Sequence, residues 1–290
     1  MRCRKAGWVI DLGIRKFFGT VPRDLVVRAA GAGTDLPWAV LHVRRWLAAP
    51  LALPDGSLPR RDRGTPQGPA VPPVLASLFL HYALGARMVR EFPGACSGRY
   101  ADDAVVHCVS EARARHVPAA LRERMREAGL ELHPAETRIV YCQDSSRRGS
   151  YEHAGLTFPG CTFRPRGVRT RHGKMFTGFN PAISKDALTK ISAQVRSWRL
   201  HYRTRITGAG LARRINPVAR GRMNYYGAFC RSAPYPLLAR ISSCLMRWPR
   251  EKRKRLRGRK KARQAWERAV ARRPRFLARR TWVNWVPRAW

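Results

Sequence analysis

Apolar and polar positions in the first half of the chain alternate between patterns typical of strands and patterns typical of helices. A continuous apolar run predicts a buried strand over 8–14, and an amphipathic pattern that ends at Gly129 predicts a helix over 111–129. The full predicted order is strand 8–14, helices 25–30 and 38–47, a long apolar stretch over 71–88, strands 97–100 and 104–109, helix 111–129, and strands 130–133 and 138–141. This order predicts an α+β fold built on an antiparallel sheet with packed helices.

Helical spacing dominates the second half. Ser184 has the chemistry of an N-cap, and it precedes an apolar stripe that comprises Leu188, Ile191, Val195 and Trp198. A second stripe comprises Leu238, Ile241, Leu245 and Trp248. We interpret both stripes as core rather than as ligand sites. The stripes therefore predict that the second half of the chain is mainly helical.

Charge changes this picture more than composition does. The 290 residues are 44% hydrophobic, which is enough for a globular core, but 58 Lys and Arg oppose 18 Asp and Glu, for a net charge of +40. Beyond His153 the only acidic residues are Asp186, Glu251 and Glu267. So strong a cationic excess points to a polyanionic partner, and nucleic acid is the leading candidate.

Cysteine usage and hydropathy bear on the compartment. The seven cysteines are scattered without a C-x-x-C pair, which argues against a structural zinc site. The first residues lack the apolar segment of a signal peptide, and no run of about 18 apolar residues could span a membrane. We therefore expect free thiols, no membrane partner, and a location in a reducing cytosol.

The segment Tyr100-Ala101-Asp102-Asp103 joins two predicted strands and places two carboxylates side by side. Adjacent carboxylates repel each other, and a divalent cation offsets that repulsion because hard oxygen ligands suit Mg²⁺. The alternative is a solvated turn, since Asp is a common turn residue. The apolar strand pattern directly after the pair favours the metal site.

A second motif, Gly64-Thr65-Pro66-Gln67-Gly68, lies just before the long apolar stretch. Glycines allow a backbone to approach a substrate closely, and the Gln67 amide offers both a donor and an acceptor to a base or sugar edge. The alternative is an ordinary loop that starts a helix. Its position ahead of the Asp-Asp turn favours a substrate-binding loop.

Together these motifs resemble the reverse transcriptase and maturase encoded by bacterial group II introns. The resemblance runs from about Val9 into the tail and includes segments 17–18, 64–68, 100–103, 133–134, 137–141, 162–166, 178–184 and 224–227. It implies a reverse transcriptase palm over 1–160, an α-helical thumb and maturase-specific domain over 161–250, and a basic, aromatic-rich C-terminal tail over 251–290. It also implies RNA-directed DNA polymerisation, a nucleotidyltransferase activity that uses Mg²⁺, and a role in the RNA splicing and mobility of a group II intron.

The resemblance also assigns roles and partners. Asp102 and Asp103 would be catalytic and would hold Mg²⁺ during two-metal phosphoryl transfer. The template-primer and dNTPs would contact Tyr100, Phe18 and the loop residues Gly64, Thr65, Pro66, Gln67 and Gly68. Intron RNA would contact a basic set that comprises Arg164, Arg166, Lys185, Arg196, Arg199, Lys252, Arg253, Lys254, Arg255, Lys260 and Lys261.

One departure from the family pattern affects the predicted chemistry directly. The third catalytic carboxylate is expected at the end of the first strand, where this chain has Gly13. Asp11 is the nearest substitute ligand, but a strand advances about 3.3 Å per residue, which puts its Cα roughly 6–7 Å from Gly13. Glu136 stands where a lysine is expected. We therefore predict severely reduced polymerase activity.

Further departures lie at Gly19, Arg23, Ser77, Pro159 and Cys161. These five, and those at Gly13 and Glu136, are each reachable by one A·T to G·C transition, so our hypothesis is a degenerating intron copy. Only twelve residues precede Gly13, so we expect most of the fingers to be absent.

Three functions stay open. The first is an RNA-directed DNA polymerase with maturase function, and the second is a non-catalytic RNA-binding remnant. The third is a generic cationic RNA binder. From Arg247 onward eighteen Lys and Arg are interleaved with aromatic residues, which suits base stacking on irregular RNA. The alternative for this segment is a disordered basic tail.

Overall fold

The chain is described by a computed structural model that covers residues 6–50, 55–57, 62–65, 71–169, 172–228 and 232–272. Two compact units are formed. The first contains residues 1–156 and 167–178, and the second contains residues 157–166 and 179–290. The predicted domain boundaries at 160 and 250 stay predictions.

A four-stranded antiparallel sheet forms the centre of the first unit. Its strands are β1 (Trp8–Leu12), β2 (Cys96–Tyr100), β3 (Asp103–Cys108) and β4 (Arg138–Tyr141), in the order β2-β3-β1-β4. All five residues of β1 are buried, which explains why its sequence is a continuous apolar run interrupted only by Asp11. The predicted antiparallel α+β architecture is confirmed.

Helices pack against this sheet. They are α1 (Phe17–Thr20), α2 (Arg23–Ala32), α3 (Pro37–Ala48), α4 (Val71–Leu80), α5 (Ala86–Glu91) and α6 (Glu111–Glu127), with a π-helical turn at His81–Gly85 between α4 and α5. One hydrophobic cluster joins β1 and β3 to the buried faces of these helices. Each helix predicted in this half of the chain is therefore present.

The predicted strand over 130–133 is wrong in extent. Leu132 forms only an isolated bridge with Ile14. The reason lies at the end of α6, where Gly129 adopts a φ of +71° and the Leu130 N–H donates to the carbonyl of Met125 at 2.8 Å. This N–H closes the helix, as in a Schellman-type ending, and is not available to a strand ladder.

The remaining elements of the described residues are three strands, four α-helices, and two 3₁₀ turns at Leu200–Tyr202 and Lys254–Leu256. The strands and α-helices are β5 (Leu156–Phe158), β6 (Cys161–Arg169), β7 (Met175–Ile183), α7 (Lys185–Ser197), α8 (Gly208–Gly227), α9 (Tyr235–Lys252) and α10 (Arg259–Ala271). The strands form a second sheet in the order β5-β6-β7, which the hydrophobic pattern did not predict. Helix α10 lies within the segment predicted as a tail.

The core of the second unit confirms both predicted apolar stripes. Ile191 and Val195 of α7 are buried in one cluster with Ile241 and Leu245 of α9. The Ser184 hydroxyl accepts a hydrogen bond from the Ala187 N–H at 3.1 Å, so the predicted N-cap is present.

Two further observations concern the predicted compartment. Within the described residues, no helix has both the length and the hydropathy needed to span a membrane. The cysteines in that part of the chain are free thiols: Cys96, Cys108, Cys142, Cys161 and Cys244.

Candidate functional site

A tight hairpin displays the two adjacent carboxylates. Tyr100 of β2 pairs with Asp103 of β3, so only Ala101 and Asp102 form the turn. Ala101 has a φ of +53°, a left-handed conformation that is strained for a non-glycine residue. Asp102 is half-buried and Asp103 is exposed. Although the residue as a whole is exposed, partial desolvation of its carboxyl raises the pKa of Asp103, and the neighbouring charges of Asp102 and Glu136 raise it further.

Strand β1 brings its C-terminal end beside this hairpin. Leu12 pairs with Ala104 and Asp11 pairs with Val105. In an antiparallel pair the register continues past the last residue, so Gly13 follows toward Asp103. The structure therefore brings together the three positions that the sequence singled out, and the third has no side chain.

Asp11 lies inside the sheet rather than at the hairpin tip. It is only 8% exposed, and its Oδ2 lies 3.5 Å from Nη2 of Arg138 on β4. Burial raises the pKa of Asp11 to about 6, and the Arg138 guanidinium opposes that shift. This carboxylate is held by a cross-strand ion pair, which favours a structural role over metal ligation.

A turn covers the end of β1. The His133 N–H donates to the Gly13 carbonyl at 2.8 Å, and the Glu136 and Thr137 N–H groups donate to the His133 carbonyl. A Cβ built on Gly13 would lie 2.5 Å from Oε2 of Glu136. The Glu136 side chain thus adjoins the position where the third carboxylate was expected.

The residues at the hairpin match a metal site only in part. Carboxylate oxygens of Asp102 and Asp103 are the donor type that Mg²⁺ prefers. In the part of the chain that the structure describes, however, no three His, Cys, Asp or Glu side chains converge so as to hold a metal ion. The donor set therefore does not fit a complete two-metal site, and we derive no catalytic step through metal ions.

Two residues of the predicted substrate loop are anchored beside this region. Gly64 has a φ of +80°, and a Cβ there would lie 2.7 Å from the Gly19 carbonyl oxygen and 2.8 Å from that of Phe18. The buried Thr65 donates its N–H to the Phe18 carbonyl at 2.7 Å. Only glycine fits such a close approach. Pro66, Gln67 and Gly68 lie outside the described residues.

Sequence reasoning missed one contact that supports the hairpin. The Arg99 guanidinium on β2 donates to both the carbonyl and the hydroxyl oxygen of Ser77 on α4, each at 3.1 Å. Burial lowers the pKa of Arg99. Ser77 was noted only as a departure from the family pattern, and no local signal links it to Arg99.

The predicted RNA-contacting cations separate into two groups. Arg166 donates to the carbonyls of Asn180 and Thr162, and Lys252 donates to the Ile206 carbonyl at 2.8 Å while lying 5.0 Å from the Trp248 ring centroid. The others have exposed side chains: Arg164, Lys185, Arg196, Arg199, Arg253, Lys254, Arg255, Lys260 and Lys261. Arg166 and Lys252 therefore make hydrogen bonds within the fold, and the exposed residues form the candidate RNA surface.

Comparison with known proteins gives two family matches. Residues 1–177 match the family described as "Reverse transcriptase (RNA-dependent DNA polymerase)", and residues 188–268 match "Group II intron, maturase-specific domain". Among curated proteins, none has a sequence that matches this chain. One similar solved structure is an apo telomerase from Candida tropicalis truncated from its C-terminal domain, with 10% identity and a TM-score of 0.43. The similarity covers 54% of this chain and 34% of the telomerase chain.

Proposed function

Because the chain belongs to the reverse transcriptase family and carries a group II intron maturase-specific domain, we propose that it is an RNA-directed DNA polymerase and maturase of a group II intron, with an impaired polymerase step. Its partners are then the intron RNA, an RNA template with a DNA primer, and dNTPs. The observation that carries the proposal is the Asp102–Asp103 hairpin in a four-stranded palm-like sheet, followed along the chain by the maturase-specific helices.

The impairment follows from the donor set. Asp102 and Asp103 would hold Mg²⁺, whose chemistry when bound is to activate the primer 3′-hydroxyl and to neutralise the triphosphate leaving group. Gly13 contributes no carboxylate, and the Asp11 carboxylate is paired with Arg138 inside the sheet. Two ligands on one hairpin support metal binding less well than three. We therefore expect polymerisation far below the level of a complete site.

RNA binding is supported by the second unit. The exposed cations of the candidate RNA surface lie on β6, on and just after α7, on α10 and in the segment between α9 and α10, while acidic residues beyond His153 are limited to Asp186, Glu251 and Glu267. Ala262 and Trp266 of α10 are buried, and Trp266 belongs to the core cluster of this unit, so the cations of that helix are held on a folded element. Cations placed in this way neutralise phosphates and release counterions on binding.

A second candidate function is a non-catalytic RNA-binding protein. It is favoured by Gly13 and by the charge of Glu136, and it keeps the basic surface of the second unit. We also propose that the chain acts in the bacterial cytosol and that the departures at 13 and 136 mark a degenerate intron copy.

The maturase proposal is tested by the salt dependence of group II intron RNA binding. Arg253, Lys254 and Arg255 are replaced by Ala in one variant, and the exposed Arg44, Arg45 and Arg122 of the first unit are replaced in a matched control. The first variant should lower the slope of log K against log salt by about 2, because each phosphate contact to single-stranded regions contributes roughly 0.7. The control should leave the slope unchanged. Equal losses in both variants would indicate a generic cationic binder instead.

A further inference from the structure

The turn between His133 and Arg138 is tied to the end of β1 by backbone hydrogen bonds. The Gly13 carbonyl accepts from the His133 N–H at 2.8 Å. The His133 carbonyl in turn accepts from the N–H groups of Glu136 at 3.2 Å and Thr137 at 2.9 Å. These three bonds fix the backbone of Glu136 relative to Gly13.

The contact between the two residues is closer than any side chain at position 13 permits. A Cβ on Gly13 would lie 2.5 Å from Oε2 of Glu136 and 2.9 Å from its Cβ. Rotating the Glu136 side chain would move Oε2 away, but the Cβ moves only with the backbone. Gly13 is not among the glycines with positive φ, so the contact, rather than backbone conformation, is what demands glycine here.

From this packing we infer that Glu136 occupies the space of the side chain that position 13 lacks. Without movement of the turn, the fold accepts a carboxylate at position 13 only when residue 136 is shortened to glycine. Because Leu12 pairs with Ala104, a carboxylate at position 13 would stand beside Asp103. Residues 13 and 136 therefore form one steric unit in this chain, and a third metal ligand at position 13 requires either glycine at position 136 or a shift of the turn that carries Glu136.

Electrostatics agree with this placement. The negative charge of Glu136 contributes to the raised pKa of both Asp103 and Asp11, so its carboxylate lies within electrostatic range of both. The link to metal binding rests on the proposed function, whereas the steric coupling does not.

The steric coupling is tested by thermal unfolding of the full chain. Gly13→Ala adds only a Cβ, and it should lower the unfolding midpoint by roughly 2–10 °C. The same loss in midpoint should appear when Gly13→Ala is combined with Glu136→Gln, which keeps the shape of the side chain and removes its charge. The loss should vanish when Gly13→Ala is combined with Glu136→Gly. Gly31→Ala is the control for adding a Cβ, because a Cβ there meets nothing within 4 Å, and it should not lower the midpoint since alanine favours helix α2 more than glycine does.

Two results would overturn the coupling. One is an equal loss for Gly13→Ala in the Glu136→Gly background. The other is a loss no larger than that of Gly31→Ala.

The consequence for metal binding is measured separately by titration with Mn²⁺, followed by electron paramagnetic resonance. The double variant Gly13→Asp with Glu136→Gly should bind Mn²⁺ about 5- to 150-fold more tightly than Gly13→Asp alone, the factor that corresponds to a typical overpacking cost. Adding Asp102→Asn should remove that gain. Equal affinities of the single and double variants would contradict the inference. If unfolding shows the coupling but no variant binds Mn²⁺, the inference stands and the proposed polymerase site is wrong.

Discussion

Replacement of Asp11 by Asn should stabilise the sheet in a pH-dependent way. Asp11 is 8% exposed, and its pKa in the folded chain is about 6 against an ordinary value of 3.8. The folded state therefore binds the proton more tightly than the unfolded chain, and stability falls as pH rises from about 4 to about 6. A difference of about two pKa units corresponds to about 3 kcal/mol at pH values above 7.

Asp11→Asn removes this cost because the amide does not ionise. The variant should exceed the native chain in stability by up to about 3 kcal/mol at pH 8, and the two should be nearly equal at pH 4. The measurement is native-state hydrogen exchange of the β1 amides, which reports the free energy of opening this strand. Asp35→Asn, at an exposed position, controls for the loss of one negative charge.

Two results would refute this reasoning. An Asp11→Asn variant less stable than the native chain at pH 8 would mean that the Arg138 ion pair outweighs the burial of Asp11. A stabilisation of equal size at pH 4 and pH 8 would mean that ionisation of Asp11 is not its cause.

Three further predictions concern stability, measured by urea unfolding, and the third also concerns RNA binding. Gly64→Ala should cost about 2–4 kcal/mol, because the backbone there is strained for alanine and the added Cβ would contact the Phe18 and Gly19 carbonyls. The control Gly56→Ala has a φ of +81° and open space around the Cβ, so it should cost only the strain of about 1–2 kcal/mol. Equal costs for the two variants would contradict the close approach at Gly64. Ser184→Ala should cost about 1 kcal/mol through loss of the α7 cap, and an unchanged midpoint would show that water replaces the hydroxyl. Lys252→Met should cost about 1 kcal/mol, because the hydrogen bond of Lys252 to the Ile206 carbonyl is lost. The slope of log K against log salt for RNA binding should stay the same, and a flatter slope would place Lys252 on the RNA surface instead.

The sequence was most informative where local pattern and tertiary environment agree. Strand β1 is buried on both faces, so its apolar run was sufficient to predict it. The hairpin was predictable because two extended runs flank Asp102 and Asp103, and Asp is common in turns. Ser184 was predictable because N-capping depends only on nearby backbone groups.

Other elements have patterns that local rules do not detect. Strands β6 and β7 contain Pro165, Pro181 and Gly178, which weaken the usual strand signal. Helix α8 contains Pro217 and begins with Gly208, and such residues ordinarily indicate helix breaks. These elements depend on tertiary packing that no short window of sequence contains.

The candidate site likewise contains features that the sequence predicted and features that it did not. The Asp102–Asp103 turn is local and was predicted, and the absence of a side chain at Gly13 is visible in the sequence. The contact between Gly13 and Glu136 joins residues far apart in the chain and depends on the hydrogen bonds of the 133–137 turn. The burial of Asp11 against Arg138 likewise follows from the pairing of β1 with β4.

Primer extension on an RNA template with Mg²⁺ tests the central claim, that this palm has lost part of its chemistry, most directly. The unmodified full chain should extend the primer far more slowly than the double variant Gly13→Asp with Glu136→Gly, and Asp102→Ala should abolish any extension that remains. Extension by the unmodified chain as fast as by the double variant would contradict the claim, because it would mean that another group completes the metal site that Gly13 leaves open.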